Sequence, residues 1–61
     1  MNVVDLITRA RRHPLDMRYS ILFMAKMWFK PRSKDMEHLL RELQIVQGKR
    51  LKRDNKAAAA A

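Results

Sequence analysis

The chain has 61 residues, no cysteine and a formal net charge of +8, from fourteen Lys and Arg against six Asp and Glu. Such a length allows one small domain, which buries only about 60% of its unfolded surface and is marginal without a staple. Disulfides and thiolate metal sites are excluded, so oligomerisation or docking on a larger body is the remaining route to stability.

The positive surplus favours nucleic acid, anionic lipid or an acidic protein face as neighbour. Arg9, Arg11 and Arg12 follow the first apolar stretch, and the apolar core of a secretory signal is not found there. The longest uncharged run, Tyr19–Ala25, is seven residues, whereas a spanning helix needs roughly 20. The expected setting is therefore the cytoplasm or another reducing compartment, an organelle matrix included. The chain is expected to be neither secreted nor transmembrane.

Asn2 is a suitable N-cap, and Asp5 places a carboxylate in the first turn, where the helix end is positive. Val3, Val4, Leu6, Ile7 and Ala10 then share one helical stripe. Thr8, Arg9 and Arg12 face away, and Arg11 returns to the stripe at its far end. Pro14 forbids a regular continuation, so the first helix is predicted over about residues 2–12.

Pro14 also suits the start of a second helix, which is predicted over 15–30 and ends before Pro31. Its sequence, LDMRYSILFMAKMWFK, is apolar on nearly every side. A helix of that kind is normally buried in a large core or a membrane, and this chain offers neither. Leu22, Ala25 and Phe29 are assigned to the internal core. Two short neighbours shield roughly half of a third helix, so Tyr19, Phe23, Met24, Met27 and Trp28 are left as candidate partner-binding residues. Methionine repacks to fit a partner, and Trp and Tyr anchor one.

Ser33 is a good N-cap for a third helix, with Asp35 and Glu37 in its first turn. Met36, Leu39, Leu40, Leu43 and Val46 form its apolar stripe, and His38, Arg41, Glu42 and Gln44 are placed opposite. Gly48, the single glycine, stands where a C-cap would, which sets the third helix at 34–47. Beyond it, KRLKRDNK forms a basic tail or a helical extension, followed by alanines at 57–61. The fold class is all-α: three short helices forming a unit over 1–47, with a basic tail over 48–61.

Catalytic chemistry is sparse. Ser20 and Ser33 have no His/Asp constellation, and Glu37 and Glu42, five apart, do not share a helix face. Phosphate loops and zinc motifs are missing from the sequence. His13 and His38 alone cannot complete a tetrahedral metal site. No catalytic residue, metal ligand or cofactor is assigned.

The basic residues concentrate around the first connector and after Gly48. Arg9, Arg11, Arg12, Lys49, Arg50, Lys52 and Arg53 are the candidates for phosphate contact, whose signature is counterion release and steep salt dependence. The expected function is a non-catalytic accessory subunit or small modulator. Its Met/aromatic helix would dock on a larger protein or nucleoprotein complex, with the basic ends along RNA or DNA. A homodimeric DNA-binding regulator of helix-turn-helix type is the alternative, although Asp35, Glu37 and Glu42 would approach phosphates unfavourably. A membrane-surface role draws some support from Trp28 and Phe29 beside Lys30, Arg32 and Lys34.

Overall fold

Asn2 opens the first helix as its sequence implies: its Oδ1 accepts a hydrogen bond from the Val4 amide at 2.8 Å. The computed structural model describes residues 2–60; Met1 and Ala61, which the sequence-based limits include, lie outside them. Three helices follow in order, α1 (Val3–Ala10), α2 (Leu15–Ala25) and α3 (Lys34–Ala60). A 3-10 turn, Lys26–Trp28, continues directly from α2.

The core is formed where the three helices meet. Val3, Leu6, Ile7 and Ala10 of α1 pack with Leu22 and Ala25 of α2 and with Met36, Leu39, Leu43 and Val46 of α3. Leu15, Tyr19, Ile21 and Phe29 lie partly buried against this cluster. The predicted stripes of α1 and α3 thus hold, except that Val4 and Leu40 are exposed.

Each connector has a local cause. The α1 C-terminus is closed by Arg18, whose Nη2 donates to the carbonyls of Arg11 and His13. Pro14 precedes α2 in an extended conformation. Between α2 and α3, Lys30–Ser33 forms a turn closed by the Ser33 amide donating to the Lys30 carbonyl at 3.2 Å. Pro31 supplies the second turn position, and Arg32 takes a left-handed φ of 67° at the third, the pattern of a type II turn. The Ser33 hydroxyl accepts from the Met36 amide at 3.1 Å, capping α3 as read from the sequence.

α1 ends at Ala10, two residues short of the predicted limit, with Arg11 as its C-cap, and two further helix limits differ by more. The regular part of α2 stops at Ala25 rather than Lys30: the backbone tightens to 3-10 and then extends at Phe29. Pro31 disfavours helical geometry at Lys30; the chain is already extended one residue earlier, at Phe29, which packs partly buried against the core. At the other end, Gly48 is no C-cap. The helix passes through it without a positive φ and runs on through the basic segment to Ala60. A single mid-helix glycine costs only about 1 kcal/mol, and the Lys, Arg and Ala that follow are among the best helix formers. Two ion pairs described below also tie the extension to α2.

The result is elongated, with principal extents of 42 × 21 × 15 Å. Its accessible surface of 5014 Å² exceeds the ~4,200 Å² typical of a compact protein of this mass. More of this chain faces water than a sphere of the same size would show.

A two-sided candidate interface

The outward part of α2 and the 3-10 turn that follows it carry large apolar side chains left mostly in water. Phe23, Met24, Met27 and Trp28 are between 52% and 84% exposed, and Met17 is half exposed. Met17 and Met24 lie about 140–160° around α2 from the buried Leu22, with the half-buried Ile21 between them and the core. The 3-10 turn carries Trp28 beyond the end of α2.

Tyr19 and Phe23 lie on the other flank of α2, beside α3. Their rings stack with centroids 5.9 Å apart. The Arg50 guanidinium sits 4.5 Å above Tyr19, and the Lys26 ammonium 4.8 Å above Phe23, each a cation–π contact. With Leu40, Leu43, Gln44 and Gln47 of α3 they border an open groove of about 250 Å³. Tyr19 is thereby half-buried under its own chain, unlike the other four candidate partner-binding residues.

The phosphate candidates divide into two groups. Arg11 is committed internally: Nε and Nη2 donate to the two oxygens of Glu42 at 3.0 and 3.1 Å. Glu42, which sequence periodicity put on the outer face, is buried against α1 and is the covered partner, at 7% side-chain exposure against 60% for Arg11. The hydrogen bond and charge of Glu42 raise the Arg11 pKa. Arg50 and Arg53 converge on Asp16 of α2. Arg50 Nε donates to Oδ1 at 3.0 Å, and Arg53 Nη2 and Nη1 donate to Oδ1 and Oδ2 at 3.1 and 3.3 Å. The Arg53 hydrogen bond is the main cause of an Asp16 pKa below its usual value.

Arg9, Arg12, Lys49 and Lys52 form no ion pair among the described residues. Continuity of α3 through Gly48 puts Lys49 and Lys52 in register with cations that the sequence reading left outside the phosphate candidates. Lys34, His38, Arg41, Ile45, Lys49, Lys52 and Lys56 recur at spacings of four and three, within about 80° of the helix circumference. This line is exposed throughout and faces roughly away from Leu39, Leu43 and Val46. The signal was the helical period itself, broken in the sequence by reading Gly48 as a stop. Glu37 and Arg41, a favourable i,i+4 pair by spacing, make no ion pair in the structure.

Apolar surface therefore projects from α2 on one side, and a cationic line projects from α3 on the other. Among the described residues, no three His, Asp or Glu side chains gather as a metal site, and no helix is long and apolar enough to cross a membrane. No family model, curated protein or solved structure matches the chain.

Proposed function

We propose that this chain is a non-catalytic accessory subunit or modulator that docks on a larger protein or nucleoprotein assembly through the outer surface of α2 and holds nucleic acid with its cations. The carrying observation is the exposure of Phe23, Met24, Met27 and Trp28 on one short segment. Contiguous apolar surface of this kind marks an interaction site in a soluble protein, and a Trp flanked by methionines has the composition of an interface centre. The opposite placement of the cations supports a bridging role, since both surfaces can be occupied at once.

The test is capture from the native host on immobilised full-length chain, at low and high salt, with and without nuclease. A specific protein or nucleoprotein retained by the parent chain and lost with Trp28→Ala supports the reading. Equal retention by both chains means that α2 is the wrong face. Trp28→Ala is exposed and leaves the core intact, so its helical content serves as the folding control. A defined, Trp28-dependent dimer of the purified chain would instead favour self-association.

A further inference from the structure

We infer that the outer line of α3 is a track for the phosphate backbone of duplex nucleic acid, contacted by Lys34, Arg41, Lys49, Lys52 and Lys56. The inference rests on the nucleic-acid half of the function proposed above and names the ligand and the residues that meet it. These five cations lie on one face of an unbroken helix, and none forms an ion pair among the described residues. Their charges are free to replace counterions. No acidic residue stands on the line itself.

From Lys34 to Lys56 the line measures about 33 Å at the α-helical rise. One turn of DNA duplex measures roughly 34–36 Å. A straight row of this length lies against a straight duplex and reaches phosphates at both ends of one turn. Of the seven positions on the line, Arg41 alone carries a bidentate group of the kind that reads base edges. The other four cations are lysines, which meet phosphates as point charges, so the contact is chiefly with the backbone.

Two other polyanions fit less well. Single-strand binders stack bases on aromatic side chains along the strand, and this line has none; Tyr19, Phe23, Trp28 and Phe29 all belong to α2 and the segment after it. A membrane-surface helix buries an apolar face in lipid, but the apolar face of α3 is occupied by the core and Ile45 is the only apolar residue on its cationic side.

The experiment compares two triple variants of equal net charge, Lys49→Gln/Lys52→Gln/Lys56→Gln on the line and Lys26→Gln/Lys30→Gln/Arg32→Gln off it. Each binds a labelled DNA duplex, the matching RNA duplex, a single strand of the same length, and vesicles of mixed phosphatidylserine and phosphatidylcholine, over a range of salt. Circular dichroism checks that both variants remain helical. For the parent chain, the log–log salt slope on DNA duplex is expected near −4.5, from about 0.9 per phosphate contacted. The on-line variant is expected to flatten it by about 2.7, and the off-line variant by less than 1. A preference between the two duplexes identifies which is bound and supports the inference either way. Equal flattening by both variants, tighter binding of the single strand, or vesicle binding with no duplex binding overturns it. Purified duplex contains no docking partner, so failure here leaves the Trp28 capture result standing, and failure of capture leaves the slopes standing.

Discussion

Asp16, in the first turn of α2, receives a two-pronged hydrogen bond from Arg53, 37 positions later in the chain, at 3.1 and 3.3 Å. Arg50 donates to the same carboxylate. These contacts fasten α3 to α2 beyond Gly48, where the helix leaves the apolar core. They depend on Asp16 being ionised. Its pKa is lowered in the folded chain from the usual 3.8, chiefly by the Arg53 hydrogen bond, with both arginine charges adding to the effect. A lowered folded-state pKa gives stability that is complete above the unfolded-state value and is lost as pH falls through the folded-state value. On acidification from pH 6 to pH 2, the protection factors of the amides after Gly48, taken relative to the intrinsic exchange rate at each pH, should begin to fall below about pH 4. Asp16→Asn should show the lower protection there throughout the range. Measurement is by hydrogen exchange resolved to residues 49–60; a parent chain with no acid-dependent loosening would remove Asp16 as the fastener.

Arg11 and Glu42 make an unequal pair, one mostly in water and the other nearly covered. Removing the arginine leaves a covered carboxylate without its partner, which is more damaging than losing a surface charge. Arg11→Ala is expected to lower the thermal midpoint well beyond Arg12→Ala, whose side chain has no ion partner. Replacing both members, Arg11→Met with Glu42→Leu, should recover most of the loss, because no unpaired charge is then buried. Thermal melts of the four chains decide this; equal midpoints for the two single variants would make the pair incidental.

Gly48 is an exposed glycine inside a helix, and a Cβ placed on it meets nothing within 4 Å. Gly48→Ala should therefore stabilise the chain by about 0.8–1 kcal/mol through helix propensity alone. That corresponds to a rise in melting temperature of roughly 4–8 °C for a domain of this size. A fall would mean that the helix is interrupted there in solution.

Arg32 adopts a left-handed backbone, φ 67°, at a turn position that glycine occupies without steric cost. The strain is about 1 kcal/mol, partly offset in Arg32→Gly by the greater chain entropy of unfolded glycine. A net gain of up to about 0.5 kcal/mol is expected by denaturant titration. Pro31→Ala, which loosens the same turn, should act in the opposite direction.

Much of this molecule is readable from local chemistry. Asn2 and Ser33 announce their helices because a short polar side chain before an apolar stripe has one good use. Leu22, Ala25 and Phe29 were separable from the rest of the second helix because its neighbours have room for few contacts. What local reading missed depended on distant partners. Glu42 looks like a surface residue until Arg11 is brought beside it, and Arg50 and Arg53 look like free phosphate contacts until Asp16 claims them. Gly48 misled for a related reason, since its small local penalty is outweighed by helix-forming residues after it and by the tie to α2. Once the helix is followed through that glycine, Lys34, Arg41 and Lys56 line up with Lys49 and Lys52.

The most direct test of a molecule with separate faces uses its single tryptophan, Trp28, which ends the 3-10 turn after α2 and is not part of the cationic line. DNA duplex is titrated to saturation at low salt while Trp28 emission and its quenching by acrylamide are followed, with binding itself read from a label on the duplex. Saturable binding with Trp28 still fully quenchable and its emission unmoved is the result this account requires. A blue shift with loss of quenching at the same midpoint would contradict it, because the apolar surface of α2 would then be covered in the nucleic-acid complex and could not be free for a second partner.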